Sequence, residues 1–242
     1  MKKIIITGAA GFIGSHLVDH FLNKSIQVTG IDNLSTGKKN FIQHNLNNKN
    51  FTFIEEDLKN HNEIIKIFNS DIDAVFHIAA NADVKSGLNH PRKDLEENTI
   101  VTFNVLEAIR QNNIKQVIFS STGAIYGDAE TIPTPEDAPF PIQTSLYGAS
   151  KLACEGLIQA YSIGYNIKAT IFRFVSILGP RYSHGHVFDF YKQLKKDPSI
   201  LNVLGDGNQK KSYLHVFDCI NAIDLILEKS KSNLNIFNLG ID

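Results

Sequence analysis

The chain has 242 residues, with 24 Lys and Arg against 25 Asp and Glu and a formal net charge of -1. So even a balance excludes the basic footprint of a nucleic-acid-binding domain, and an anionic ligand has to be held by local groups rather than by a global field. With hydrophobic residues at 43% and charged residues at 20%, a sizeable core is within reach and global disorder is excluded.

The first predicted element is the apolar run Lys3–Thr7. Ile4-Ile5-Ile6 is too brief for a signal peptide, and a glycine-rich turn follows at once. Further short apolar runs follow at Gln27–Asp32, Phe51–Glu55, Ala74–Ile78, Gln116–Ser120 and Ala169–Phe174. Continuous apolarity over so few residues predicts strands buried on both faces of a parallel sheet. Helix-like stretches alternate with them at Phe12–Asn23, His61–Phe68, Pro91–Gln111 and Leu146–Ile163. A repeated strand–helix order predicts an α/β, Rossmann-type doubly wound parallel sheet with right-handed crossovers. After Gly179-Pro180 the sequence becomes loop-rich, with one more helix-like stretch at Val216–Lys229 and a last strand at Asn235–Leu239. The expected division is residues 1–179 as the dinucleotide-binding domain and 180–242 as a smaller, shortened substrate-facing part interleaved with it. No run approaches the roughly 20 apolar residues that span a bilayer. Cys154 and Cys219 show neither metal nor redox spacing, so buried free thiols in a reducing compartment are expected, and a cytoplasmic location with them.

The chemistry-bearing residues begin right after the first strand. Gly8, Gly11 and Gly14, with Phe12 and Ile13 between them, give the spacing G-x-x-G-x-x-G at a strand–turn–helix junction. Glycines there permit a tight turn and a close approach of backbone to a pyrophosphate, whose charge the helix start favours. Asp32, followed by Asn33, ends the second strand, where a carboxylate can accept the adenosine ribose hydroxyls and repel a 2′-phosphate. NAD is therefore favoured over NADP, although Lys38 and Lys39 leave an opening for the latter. Asp57-Leu58 follows the third strand, where the carboxylate can receive the adenine amino group. Ala79-Ala80 closes the fourth, where small side chains let backbone run beside the cofactor.

Tyr147-Gly148-Ala149-Ser150-Lys151 places a phenol and an ammonium at i and i+4, on one helix face. A lysine so placed is expected to lower the phenol pKa and make tyrosine a usable general base. Ser120-Ser121-Thr122 ends a strand upstream, offering hydroxyls to a substrate alcohol and its developing carbonyl.

These residues, with the stretches FSSTGAIYG at 119–127, RFVSILGPR at 173–181 and LGDGNQKKSYLHV at 204–216, resemble extended short-chain dehydrogenases/reductases over nearly the whole chain. The resemblance is closest to the NAD-dependent epimerase/dehydratase family, UDP-glucose 4-epimerase-like members in particular. It implies NAD as cofactor and a nucleotide-activated sugar, a UDP-sugar above all, as substrate. It implies that Tyr147 takes the proton of the sugar 4-hydroxyl while hydride passes from C4 to NAD. The 4-keto sugar then turns and hydride returns to its other face. Thr122 assists, Lys151 tunes Tyr147 and holds the nicotinamide ribose, and Asn98, Ser120 and Phe174 join the cofactor site. Ser121, Ser176, Arg181 and Lys211 are the implied substrate contacts, with Lys210 a further phosphate candidate. A homodimer through Pro91–Gln111 and Leu146–Ile163 is implied too.

Family dehydratases carry an Asp-Glu pair directly after the threonine, and decarboxylating relatives a glutamate there. This chain has Gly123-Ala124, which favours simple oxidation and reduction at C4. A nucleotide-sugar reductase or dehydratase, or a shortened NAD-binding protein without turnover, remain the alternatives. His184-Gly185-His186 reads as loop histidines near a pocket, not as a metal pair. Family members continue past Phe237–Gly240, so the chain is expected to be a short natural form or a piece of a longer protein.

Overall fold

The computed structural model describes residues 1–84, 87–140, 142–203 and 205–240; Leu204, which opens the last family-like stretch, and Ile241 and Asp242 lie outside them. In chain order the strands of the main sheet are β1 (Lys3–Thr7), β2 (Gln27–Asp32), β3 (Phe51–Glu55), β4 (Ala74–His77), β5 (Gln116–Thr122), β6 (Lys168–Phe174) and β9 (Leu234–Leu239). They form one seven-stranded sheet in the order β3-β2-β1-β4-β5-β6-β9, every pair parallel. The helices are α1 (Phe12–Asn23), α2 (His61–Ile67), α3 (Pro91–Asp94), α4 (Val101–Gln111), α5 (Leu146–Tyr165), α6 (His186–Lys196) and α7 (Val216–Lys229).

Side chains alternate across each strand, so one apolar run feeds two cores. Ile4 and Ile6 of β1 pack with Leu17 and Phe21 of α1 and Cys219 and Ile223 of α7. Ile5 faces the other way, into the layer built by Ile64, Leu106, Ile109, Cys154 and Ile158. Both cysteines are buried and free.

One departure from the sequence expectation bears on function. The stretch Pro91–Gln111 is not one regular helix: a π-helical turn, Leu95–Ile100, separates α3 from α4. Residues after 180 interleave with the rest of the fold: α7 packs with α1 and β9 joins β6 in the sheet. Outside the main sheet lie α6, which has no buried residue, and a parallel pair of short strands, β7 (Ser176–Leu178) and β8 (Tyr213–His215). No helix among the described residues is long and apolar enough to cross a membrane.

Candidate active site

The strand order reverses between β1 and β4, and a crevice opens beyond the carboxyl ends of the strands at such a point. Here it is a cavity of about 970 Å³ that runs from the β1–α1 turn to α6 and Lys211. Of the site residues singled out from the sequence, all line it except Asn98, Arg181 and the further phosphate candidate Lys210.

The dinucleotide end is built by glycine geometry. Gly8 sits at φ +70°, and a Cβ there would lie 2.8 Å from the Ala79 nitrogen, so the first turn can lie against the Ala79-Ala80 backbone only as glycine. A Cβ on Gly14 would collide with the Gly8 carbonyl oxygen. Gly11 caps α1 without any side-chain bond, and Phe12, Ile13 and Gly14 face the cavity. The first-turn N–H groups of α1 are thereby turned towards a phosphate-sized anion. Asp32, 9% exposed, accepts hydrogen bonds from the Ala10 and Leu34 nitrogens at 2.9 and 2.8 Å. Burial holds its carboxyl above the ordinary value, against these two bonds. Gly37, which sequence reasoning passed over, lets its loop close on that carboxylate: a Cβ would sit 2.6 Å from Oδ1. Asn33 donates to Asp57 at 3.1 Å, tying the loops after β2 and β3 together. The donor set, the acidic ribose partner and the close-packed turn fit NAD.

At the chemical end, Ser145 caps α5 by accepting from the Gly148 nitrogen at 3.0 Å, which sets Tyr147 in the first turn. The Tyr147 phenol shares the cavity wall with Thr122, whose side chain acts to lower the phenol pKa. Thr122 also accepts from the Ala124 nitrogen at 3.1 Å and opens a 3₁₀ turn, Gly123–Tyr126. Lys151 is 2% exposed; its ammonium donates to the Ser120 carbonyl at 2.7 Å and lies 4.4 Å from the Phe119 ring centroid. The charges and titratable groups around it are Cys154 and Glu155 on its own helix and His77 on β4.

The electrostatics correct one expectation. Tyr147 is not acidified in the protein alone: burial pushes its phenol up to about 12, Asp94 and Cys154 act in the same direction, and the Thr122 side chain opposes them. Lys151 is itself pulled down to about 8 by burial, and its ammonium is engaged by the Ser120 carbonyl. Desolvation of the phenol outweighs the neighbouring cation.

Asn98 lies beneath the wall, not on it. Its amide donates to Ser150 at 2.9 Å and its oxygen accepts from the Asn81 nitrogen at 2.8 Å, while Ser150 bonds the Tyr147 carbonyl. Arg181 turns away to Asp19 at 2.7 Å. Ser121 reaches the cavity but spends its hydroxyl on Glu155. Ser176 and Phe174 line the wall where β6 passes into β7, and Lys211 stands at the far end with Lys192, His184 and His186. Burial lowers the His184 pKa, while Asp83 and Asp189 oppose the shift. Among the described residues no group of three or more His, Cys, Asp or Glu could hold a metal ion.

Comparison with known proteins places this geometry. The model of the "NAD dependent epimerase/dehydratase family" matches residues 4–240. A putative UDP-glucose 4-epimerase of Methanocaldococcus jannaschii is 34% identical over 239 residues, covering 96% of this chain and 76% of the relative. The crystal structure of UDP-glucuronic acid 4-epimerase from Bacillus cereus, in complex with UDP-glucuronic acid and NAD, is 32% identical with a TM-score of 0.89, over 99% of this chain and 78% of that one. UDP-glucuronic acid decarboxylase 4 of Arabidopsis thaliana is 30% identical over 247 residues, covering 98% of this chain and 53% of the relative. The chain belongs to the NAD-dependent epimerase/dehydratase family of enzymes, and its cofactor is NAD.

Proposed function

We propose that the chain epimerises a nucleotide-activated sugar, a UDP-sugar, at C4 through a transient 4-keto intermediate. One observation carries the reading: Tyr147 and Thr122 share the cavity wall, and the two residues that follow Thr122 in its 3₁₀ turn, Gly123 and Ala124, bear no ionisable group. Epimerisation at C4 needs one proton taken up and returned, whereas elimination of water needs an additional acid and base. Similarity to 4-epimerases with UDP-sugars bound supports the substrate class.

Bound NAD would supply the hydride acceptor and donor for C4. The residues of the chain do the rest. Gly8–Gly14, Asp32, Asp57 and Leu58 hold the dinucleotide, with Ala79 and Ala80 beside it. Tyr147 accepts the 4-hydroxyl proton at its phenol oxygen and later returns it, with Thr122 as the relay partner and Lys151 as the nearby positive charge. Ser176 flanks the sugar, and Lys211 takes the diphosphate end as a point charge. Ser121, whose hydroxyl goes to Glu155, is left out of the sugar contact, and Arg181, already paired with Asp19, is left out of the diphosphate contact. Leu95 and Phe103 are 52% and 41% exposed on the π turn and α4, as are Leu146 and Ile163 at 41% and 78% on α5. We assign these faces to a homodimer, which sedimentation velocity tests.

The decisive assay incubates the purified chain with UDP-galactose, UDP-glucuronate and their relatives and separates the products. A C4 epimer with no net NADH is expected. Loss of water or carbon dioxide by mass, or stoichiometric NADH oxidation, overturns the assignment in favour of a dehydratase, decarboxylase or reductase.

A further inference from the structure

Three consecutive residues at the end of β5 each engage one face of α5. Thr122 stands with Tyr147 at the cavity wall and acts on its phenol, the Ser120 carbonyl takes Lys151 at 2.7 Å, and between them the Ser121 hydroxyl donates to Glu155. Tyr147, Lys151 and Glu155 are spaced i, i+4 and i+8, so they share a helix face. Glu155 is in turn clasped by Arg173 of β6, whose Nε and Nη2 both reach the carboxylate, Nη2 at 2.8 Å. The pair is 0% and 2% exposed and does not line the cavity. The remaining Nη1 of Arg173 donates to the Tyr126 hydroxyl and to the Glu136 carbonyl. Tyr126 passes the chain on to Asn238 of β9 at 2.8 Å, whose nitrogen donates to the Glu136 side chain.

An ion pair this deep is not what stability alone would select, because two well-packed apolar side chains of similar volume serve as well or better. What the charged pair adds is direction. Its bonds fix where α5 stands along β5, and the same bonds reach the turn that follows Thr122 and the segment around Glu136. We infer that Glu155 and Arg173 are positioning residues: they set the register of α5 against the end of β5, and with it the approach of Tyr147 to Thr122 and the seat of Lys151. The inference rests on the C4-epimerase reading for its chemical consequence and on geometry for the rest.

Two variants test it. Ser121→Ala removes the hydroxyl link and keeps the ion pair. Glu155→Leu/Arg173→Met replaces the pair by apolar side chains, so no uncompensated charge remains to unfold the protein. With the UDP-sugar that the wild type turns over, KM and retained NAD should change less than about twofold. The kcat should fall about tenfold in Ser121→Ala and about 100-fold in the double variant, the loss expected of a misplacement near 1 Å. A second readout needs no turnover: titration of Lys151 by ¹⁵Nζ NMR, assigned with Lys151→Ala, in Ser121→Ala, which keeps Glu155, Arg173, Cys154 and His77 and so every charge near the ammonium. A displaced Lys151 moves the midpoint there, and an undisplaced one does not. Wild-type kcat in Ser121→Ala, or in a folded double variant, overturns the inference. If the wild type epimerises nothing, the epimerase reading fails by itself; the Ser121→Ala midpoint then decides the positioning role alone, a shift supporting it and no shift overturning it.

Discussion

His77 ends β4 in the middle of the sheet and is 1% exposed. Its Nδ1 lies 2.8 Å from the Thr7 hydroxyl and its Nε2 3.0 Å from that of Thr102. Thr102 donates to Cys154, so it accepts from Nε2–H; Thr7 accepts from the Ile78 and Ala79 nitrogens, so its own hydrogen is free for Nδ1. Every hydrogen is then placed for a neutral ring, and a second ring proton would meet the Thr7 hydroxyl hydrogen. Burial, with Lys151 adding to it, lowers the pKa from 6.5 to about 3. The sign follows: below pH 6.5 the unfolded chain takes up a proton that the folded chain refuses, so stability present above 6.5 is lost progressively down to about 3. By linkage the loss between pH 7 and pH 5 is about 2 kcal/mol from this one ring. His77→Gln keeps an acceptor and a donor but cannot titrate. Urea unfolding at both pH values should therefore show the wild type losing about 2 kcal/mol more than the variant over that interval. Equal losses would mean that His77 protonates in the folded protein and that the Thr7–His77–Thr102 chain is wired differently.

Tyr147→Phe should lower turnover by about 100- to 10,000-fold while NAD released on denaturation is unchanged, since removal of one hydroxyl at the cavity wall costs no more than about 1 kcal/mol and a few degrees in Tm. Gly14→Ala drives a methyl into the Gly8 carbonyl; the purified variant should carry no dinucleotide by mass and lose about 1–3 kcal/mol in denaturant unfolding. Asp32 has a raised pKa, so its carboxyl favours folding below its ordinary value of 3.8, a gain lost as pH rises through the folded value. Asp32→Asn should thus leave the neutral-pH Tm of the NAD-free protein nearly unchanged while weakening NAD binding at least about tenfold by calorimetry, the loss of a hydrogen bond to a charged group.

Where the sequence was legible, one physical signal dominated. Lys3–Thr7, Gln27–Asp32 and Phe51–Glu55 are strands to the residue; burial on both faces accounts for the apolar run of the first, whereas β3 at the sheet edge buries only Phe51. Phe12–Asn23 and Val216–Lys229 are equally clear, each having an apolar stripe to bury. Helix α6 left a weaker trace: Val187, Phe190 and Leu194 are spaced as on one helix face, but none of its residues is fully buried and loop-rich sequence surrounds it. The π turn is silent for another reason. Leu-Glu-Glu-Asn-Thr-Ile contains neither glycine nor proline, and one extra residue in a turn barely changes an apolar period. In the site, spacing marked Tyr147 and Lys151 but not which carbonyl Lys151 would take. Arg173, a cation inside the apolar run Lys168–Phe174, and Glu155, an acid on the buried face of α5, were the overlooked signs of the pair beneath them.

The raised phenol fits epimerisation better than it fits a one-way dehydrogenase. A dehydrogenase removes a proton from its alcohol and has to shed it to solvent, which favours a base with a pKa near neutrality. An epimerase takes the proton and then returns it to the same oxygen, so the transfer must be close to balanced in both directions. A phenol drawn up to about 12 approaches the weak acidity of a sugar hydroxyl, and in the protein alone it rests protonated. Ionising it at pH 7 there is therefore strongly unfavourable. If the phenol instead titrates near neutrality in the NAD-free chain, measured as the ¹³Cζ shift lost in Tyr147→Phe, the balance fails and with it the reason to prefer a returned proton over a released one.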